Sequence, residues 1–221
     1  IYTAQTDNGI RTYFSKNGGE KISLKGQLSE LLLPRATSMT RPQIVGIDGF
    51  ENSFYRSDDN DLYYINKKME VSTVVSNVNT AFLAEDGKTV TYLKNSAIYQ
   101  LNGSKENAEK VKLVEDDVAK LIATTDDGKA VFFINDDKEI RYQKGTGKTQ
   151  LVTDDFSDYS SELFRGKTFF YVCDDKLYRS DGGKGSVIKG LTGEIETVYA
   201  DSFEVSIYVT NDDGDRVSYY S

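Results

Sequence analysis

The stretch AEDGKTVTYLKNSAIYQLNG, Ala84 to Gly103, holds an Asp-Gly-Lys turn, an apolar run, a short polar turn and a second run with an aromatic residue. A second stretch, TTDDGKAVFFINDDKEIRYQ from Thr124 to Gln143, repeats this order. Runs of β-branched and aromatic residues that are separated by Asn, Asp and Gly are typical of β-hairpins. The two stretches therefore predict two copies of one hairpin unit.

The hairpin pattern occurs six times along the chain, and each copy has an anchoring aromatic residue in its first strand. These anchors are Tyr2, Tyr55, Tyr92, Phe133, Tyr171 and Tyr208. Successive anchors are 53, 37, 41, 38 and 37 residues apart. Such a period indicates a solenoid, a propeller or an array.

Two further strand candidates lie between successive hairpins. The candidates that follow a hairpin read KISL, STVV, KVKLV, TQLV and SVIKG, and those that precede one read PQIVGI, TAFLA, AKLIAT, SELF and TVYA. Four short strands in about 38 residues match one blade of a β-propeller. We therefore predict an all-β fold, a β-propeller of about six four-stranded blades, in one domain over residues 1–221.

The two ends of the chain predict either six blades with incomplete end blades or an arc of a larger ring. The first repeat starts at its hairpin and lacks a leading strand, while the last repeat ends at its hairpin and lacks an outer strand. Unpaired edge strands favour association with another chain. We expect self-association through these edges as one interaction of the protein.

The Asp-Gly-Lys units resemble the TolB-like bacterial propeller repeat, in which a Ser-Pro-Asp-Gly-Lys turn precedes an apolar strand, a polar turn and an Ile-Tyr strand. The turn occurs at Asp86–Lys88 and Asp127–Lys129, with Glu85 and Asp126 in place of the proline. The resemblance implies a six-bladed propeller. It also implies a protein that engages other proteins outside the cytoplasm, and it names no reaction.

The first repeat is longer than the others because of an insertion at about residues 25–43. Its sequence, LKGQLSELLLPRATSMTRPQ from Leu24 to Gln43, contains both prolines of the chain. Leu28, Leu31 and Leu32 have helical spacing. We predict a short helix or an irregular flap that ends at Pro34, and such a flap either covers a blade or binds a partner.

Composition excludes several classes of function. The chain has 221 residues, a net charge of −8 and a sequence pI of about 4.8, which disfavours nucleic acids and anionic membrane surfaces as partners. It has no histidine, so Ser-His-Asp catalysis and imidazole metal sites are excluded. The single Cys173 permits no internal disulfide and no cage of several cysteines. Its apolar surroundings predict a small buried residue.

The segment KGTGKTQ, Lys144 to Gln150, ends like a phosphate-binding P-loop. A P-loop requires a glycine five residues before Gly147, where this chain has Tyr142, and a helix after Thr149, where it has a strand pattern. Other repeats have Gly- and Lys-rich connections at the equivalent position. We interpret KGTGKTQ as a turn of the repeat and expect no nucleotide cofactor.

Strand direction predicts which turns share a face. If the strands of a blade are labelled A to D, the B–C turns and the D–A connections lie on one face, and the A–B and C–D turns lie on the other. The B–C turns carry Asp7, Asp58, Asp59, Asp61, Asp136, Asp137, Asp174, Asp175, Asp212, Asp213 and Asp215, and the D–A connections carry Glu115, Asp116, Asp117, Asp154, Asp155 and Asp158. The opposite face receives Lys16, Lys67, Lys68, Lys88, Lys105, Lys129, Lys144, Lys148, Lys167 and Lys184.

This distribution predicts one acidic face, for which two explanations are open. Asp and Asn favour tight turns because their side chains bond to the backbone and tolerate positive φ. Alternatively, the carboxylates attract a cation or a basic partner. Asn211, Asp213 and Asp215 resemble the start of a calcium loop, but Arg216 replaces its glycine and the closing glutamate is absent. We therefore expect no metal or other cofactor, with calcium as the alternative.

The functional expectation is a non-enzymatic propeller that binds a protein or a small ligand through the acidic face. The alternative is a carbohydrate- or peptide-processing enzyme, or its accessory domain, that uses paired carboxylates. The chain starts at Ile1, so we expect a processed or excised segment. It contains no apolar run of membrane-spanning length. An extracytoplasmic domain of a bacterial surface protein fits these features, and a cytoplasmic protein is the alternative.

Overall fold

The computed structural model describes residues 2–6, 9–15, 19, 21–32, 53–102, 109–156, 158–165, 167–191, 193–200, 205–210, 214 and 216–220. These residues form 22 β-strands and the turns between them, with no helix. Consequently, none of the described residues belongs to a helix that could cross a membrane. The predicted all-β class is confirmed.

Three blades are separate four-stranded antiparallel sheets whose strands follow chain order. Blade 2 contains β4 (Leu28–Leu32), β5 (Ser53–Ser57), β6 (Leu62–Ile65) and β7 (Val71–Val75). Blade 3 contains β8 (Thr80–Leu83), β9 (Thr89–Lys94), β10 (Ala97–Asn102) and β11 (Glu109–Val114). Blade 4 contains β12 (Val118–Thr124), β13 (Ala130–Asn135), β14 (Ile140–Lys144) and β15 (Gln150–Thr153).

Blades 5 and 6 are joined into one seven-stranded sheet. Blade 5 contains β16 (Asp158–Arg165), β17 (Thr168–Cys173), β18 (Lys176–Ser180) and β19 (Ser186–Val187). Blade 6 contains β20 (Glu194–Ala200), β21 (Val205–Thr210) and β22 (Arg216–Tyr220). The two blades meet where β16 and β20 run parallel, with Leu163 opposite Ala200.

The end blades have three strands each, as predicted. Blade 1 contains β1 (Tyr2–Thr6), β2 (Gly9–Ser15) and β3 (Lys21–Ser23), which are the B, C and D strands of the repeat. Blade 6 has the A, B and C strands. Among the strands that the structure describes, no pairing joins blade 1 to blade 6.

The inserted segment corrects two predictions. Leu28–Leu32 is not a helix but the A strand of blade 2, paired with β5, so the predicted leading strand PQIVGI does not hold that position. A β-bulge between Leu28 and Glu30 shifts the alternation of side chains. Leu28 and Leu31 therefore pack in the cluster of Leu24, Tyr55 and Tyr63, while Leu32 packs on the other face towards blade 3, which produces the helix-like spacing. Residues 33–52, with both prolines, lie outside the described residues.

The hydrophobic core lies between successive blades rather than at one centre. The B strands contribute most to it, and all six residues of β13 are buried. Alternate residues of this strand face opposite neighbours: Phe133 packs towards blade 3, and Phe132 packs towards blade 5. Blades 2, 3 and 4 therefore bury both of their faces, and their turns remain at the two edges.

Candidate functional site

The B–C turns and the D–A connections lie together at one edge of the sheets, which we call the acidic edge. The Asp136 amide donates to the Asp117 carbonyl over 3.0 Å, which joins a B–C turn to the connection that enters its blade. The same contact occurs in blade 2, where the Asp58 amide donates to the Gln27 carbonyl over 2.9 Å. The Gln27 amide donates back to Asp58 Oδ1 over 3.1 Å.

The A–B and C–D turns lie at the opposite edge, which we call the lysine edge. The Gly145 amide of a C–D turn donates to the Lys129 carbonyl of an A–B turn over 2.9 Å. The two Asp-Gly-Lys turns are also in contact, because the Glu85 amide donates to the Asp126 carbonyl over 2.8 Å. Hydrogen bonds within each edge thus group the turns as strand direction predicts.

Carboxylates and lysines divide unequally between the two edges. Exposed or half-buried carboxylates of the acidic edge are Asp58, Asp59, Asp61, Glu115, Asp116, Asp117, Asp136, Asp137, Glu139, Asp154, Asp155, Asp174 and Asp175. Cations at or beside this edge are Lys25, Lys94, Lys112, Lys138, Lys176 and Lys189, with Arg56 beside Asn60 and Arg141 beside Glu139. The lysine edge carries Lys67, Lys68, Lys88, Lys129, Lys144, Lys148, Lys167 and Lys184, with the acids Glu70, Glu85, Asp86, Asp126, Asp127 and Asp181.

The aspartates of the Asp-Gly-Lys turns are used by their own turns. Asp86 accepts hydrogen bonds from the Lys88 amide over 2.7 Å and from the Thr89 hydroxyl over 2.6 Å. Partial burial opposes ionisation of Asp86, but the bonds from Thr89 and Lys88 outweigh it and lower the pKa of the carboxyl. Asp127 has a lowered pKa for the same reasons, with Thr125 as its hydroxyl donor. These two acids stabilise turns and contribute no free carboxylate.

Some aspartates of the acidic edge also serve the backbone. Asp174 and Asp175 have φ of 48° and 56°, the geometry of a two-residue hairpin turn of type I′, and Asp tolerates this geometry better than most residues. Asp61 is half-buried, and its Oδ1 accepts from the Asn77 amide over 3.2 Å. Asp59, Asp136 and Asp137 are exposed. Turn geometry therefore explains why some positions of the acidic edge hold aspartate. It does not explain the other exposed carboxylates of this edge.

Asp212, Asp213 and Asp215 lie outside the described residues, so the structure places neither them nor the segment that resembles the start of a calcium loop. Of the sequence-predicted site residues that the structure does describe, Asp136 and Asp137 share one turn of blade 4. Asp58, Asp59 and Asp61 share one of blade 2, and Asp174 and Asp175 share one of blade 5. The acidic edge thus distributes these carboxylates over three blades.

A polar groove opens between blades 3 and 4. Its volume is about 580 Å³, within the usual range for ligand sites. One wall is the end of β11 with residues Glu115–Asp117, and the other is the face of blade 4 with Phe133, Asp137 and Arg141. The groove therefore runs from the acidic edge towards the lysine edge.

The wall of the groove near the lysine edge is held by Gln143, a buried side chain. Its Nε2 donates to the Leu113 carbonyl of blade 3 and, over 3.1 Å, to the Gly145 carbonyl. Its Oε1 accepts from the Thr149 hydroxyl over 2.6 Å. The KGTGKTQ segment is thus a C–D turn that is tied to Gln143 and lines the groove through Thr146, Gly147 and Thr149.

Cys173 packs against the hydrophobic cluster between blades 4 and 5, which agrees in part with the prediction of a buried apolar residue. The side chain is only partly buried, and its Sγ lies within 4.8 Å of a carboxylate oxygen of both Asp155 and Asp174. Partial burial, and then the negative charges of these two carboxylates, raise the pKa of the thiol. Sequence reasoning missed this cluster because Asp155 belongs to the preceding D–A connection. A thiolate and two carboxylates are suitable metal ligands, and the raised pKa of the thiol opposes the deprotonation that metal binding requires.

No family model matches the sequence, and no curated protein matches it. Solved structures do resemble the fold. The β-propeller domain of the Trilobed protease from Pyrococcus furiosus, which has an open velcro topology, aligns with 99% of this chain and 77% of its own length, at 11% identity and a TM-score of 0.53.

Two TolB structures are also similar. TolB from Acinetobacter baumannii has 19% identity and a TM-score of 0.45 over 74% of this chain and 46% of its own. A putative TolB from Agrobacterium tumefaciens has 16% identity and a TM-score of 0.42 over 68% of this chain. This chain spans 61% of the Agrobacterium protein, so it covers less than two thirds of either TolB. The chain is a β-propeller, and the solved structures similar to it include TolB as well as other β-propeller domains.

Proposed function

We propose that this propeller is a non-enzymatic scaffold whose acidic edge binds a basic protein or another cationic ligand. The observation that supports the proposal is the unequal division of charge between the two edges. Exposed carboxylates such as Asp59, Asp136 and Asp154 lie at the acidic edge, while most of the described turn lysines lie at the other. Clustered charges of one sign attract and orient an oppositely charged partner.

The proposal predicts binding that weakens with salt. Exposed charges are screened beyond about 10 Å at ~0.1 M ionic strength and act over about 30 Å at ~0.01 M. A fluorescently labelled hexalysine peptide should therefore bind more tightly at low salt. A labelled hexaglutamate peptide should not bind, because the chain carries a net charge of −8.

The test reverses charges at the acidic edge outside the groove. The triple variant Asp59→Lys, Asp136→Lys and Asp154→Lys should lower hexalysine affinity about tenfold or more, since each substitution replaces an attraction with a repulsion. Fluorescence anisotropy at low salt measures the affinity, and thermal melting verifies that the variant is folded.

The matched control makes the same change in net charge at the lysine edge. It carries Glu70→Lys, Glu85→Lys and Asp181→Lys, and it should change hexalysine affinity by less than about threefold because these sites lie at the opposite edge. Equal losses in both variants, or no binding by the unaltered protein, would contradict the proposal.

We also propose that the protein acts outside the cytoplasm. Support comes from the Asp-Gly-Lys repeats at Asp86–Lys88 and Asp127–Lys129, which resemble those of TolB-like propellers. Fractionation of native cells, with detection of the protein by antibody in the extracytoplasmic and cytoplasmic fractions, tests the location. Recovery in the cytoplasm alone would contradict it.

A further inference from the structure

One blade breaks the repeat at the position that faces the preceding blade. Three hairpins place two tyrosines opposite each other there, and the rings stack with centroids 5.0, 5.5 and 5.2 Å apart. The pairs are Tyr55 with Tyr63, Tyr92 with Tyr99 and Tyr171 with Tyr178. In blade 4 the same register pairs Phe133 with Arg141.

This exception to the repeat, Phe133 opposite Arg141 instead of two tyrosines, lies at the groove between blades 3 and 4. The guanidinium of Arg141 donates from Nε to Glu139 Oε2 over 2.8 Å, and its Nη2 donates to the same oxygen. The side chain is thus held beside its own hairpin. An arginine in this position leaves open the region that a second aromatic ring occupies on the other three blades, and Phe133 and Arg141 both line the cavity.

The groove has an excess of negative charge at its acidic end. Glu115, Asp116, Asp117 and Asp137 line it, together with the cations Lys112 and Arg141. Both cations already have carboxylate partners, since Lys112 Nζ lies 2.8 Å from Glu115 Oε2 and Arg141 contacts Glu139. Asp116, Asp117 and Asp137 are exposed. The negative charges of these three carboxylates can attract a cationic ligand.

We infer that the groove between blades 3 and 4 binds a lysine- or arginine-bearing segment of a basic protein, with the cationic group at Asp116, Asp117 and Asp137. The inference rests on the proposed function and names its principal contact. Phe133, Leu113 and Val114 line the groove but are almost fully buried, so the apolar stem of a lysine or arginine has only a small apolar surface on which to pack.

The first test removes charge from the groove and uses the hexalysine probe. Asp117→Asn with Asp137→Asn should weaken binding about tenfold, because these carboxylates face the bound cation. Asparagine preserves the turn at position 117, whose φ is 58°. The matched control, Asp58→Asn with Asp59→Asn, removes the same charge from blade 2 and should change affinity by less than about twofold.

The second test fills the groove. Arg141→Tyr gives Phe133 an aromatic partner, comparable to the ring pairs of the other three hairpins, and removes one positive charge. Diffuse attraction to an acidic protein would then tighten hexalysine binding, whereas occupancy of the groove requires binding to weaken about tenfold. The direction of the change therefore separates the two explanations, and a melting curve shows whether the variant is folded.

The outcomes distinguish this inference from the proposed function. Weaker binding in both groove variants, with the blade 2 control unchanged, supports the inference. Unchanged or tighter binding by Arg141→Tyr, or equal losses in the Asp117 and Asp58 double variants, overturns it and leaves a general acidic edge. Absence of any hexalysine binding by the unaltered protein overturns the proposed function, and the inference with it.

Discussion

The interface between blades 4 and 5 is closed by aromatic rings, while the interface between blades 3 and 4 packs Phe133 among aliphatic residues and borders a groove. At the closed interface Phe132 stacks on Phe169 with centroids 5.1 Å apart, and Tyr171 stacks on Tyr178 at 5.2 Å. At the open interface Phe133 is opposite Arg141. The hairpin register is the same in both blades, so the groove lies beside the position at which the residue opposite the anchor is an arginine rather than a tyrosine.

The largest expected effect is the loss of a core ring at the closed interface. Phe169 is fully buried, and Phe169→Ala should lower the free energy of unfolding by about 3–5 kcal/mol through lost burial and a new cavity. Phe133→Ala at the open interface should cost about 2–3 kcal/mol, because the site borders a groove that water can enter. Urea unfolding measures both, and equal losses would contradict the contrast.

A smaller effect is expected at the glycines of two C–D turns. Gly182 has φ of 116°, and a Cβ there would lie 2.7 Å from Cζ of Tyr142 across the closed interface. Gly145 has φ of 52° and no atom within 4 Å of such a Cβ. Gly182→Ala should therefore cost about 2–3 kcal/mol and Gly145→Ala about 1 kcal/mol. Similar costs in urea unfolding would show that the Tyr142 contact relaxes freely.

Exchanging the residues that distinguish the interfaces should have opposite effects on stability. Tyr178→Arg should destabilise the protein by about 2 kcal/mol, because it removes a ring pair and places a charge near Lys176, where blade 4 has Glu139. Arg141→Tyr should stabilise it by up to about 1 kcal/mol, since a new aromatic pair forms. Melting temperatures report both changes. Destabilisation by Arg141→Tyr would indicate that the Glu139 ion pair matters more than the ring.

The smallest effect concerns the thiol at the rim of the closed interface. The raised pKa of Cys173 keeps the thiol protonated, so alkylation by iodoacetamide in the folded protein should accelerate at a higher pH than in the urea-unfolded chain. Asp155→Asn removes a negative charge, lowers the pKa and should speed the reaction several-fold at pH 8. Asp154→Asn is the matched control. Equal rates for the two variants would remove the role assigned to Asp155.

The hairpins could be predicted because turn chemistry and alternation are local properties. Tyr55, Tyr92, Phe133 and Tyr171 were identified as anchors, and each lies at the same register position of its blade. The strand at Leu28–Leu32 could not be identified in this way, since its bulge imitates helical spacing and only pairing with β5 defines it.

The amino-acid sequence alone determined the repeat, the all-β class, the incomplete end blades and the turns that share an edge, because each depends on spacing along the chain. The tertiary structure decided which sites form where neighbouring repeats meet. The groove forms because Arg141 faces blade 3. The Cys173 cluster forms because Asp155, in the connection that precedes blade 5, lies close to the hairpin of that blade. Those contacts join residues of different strands and connections. Pairing and packing, rather than local pattern, bring them together.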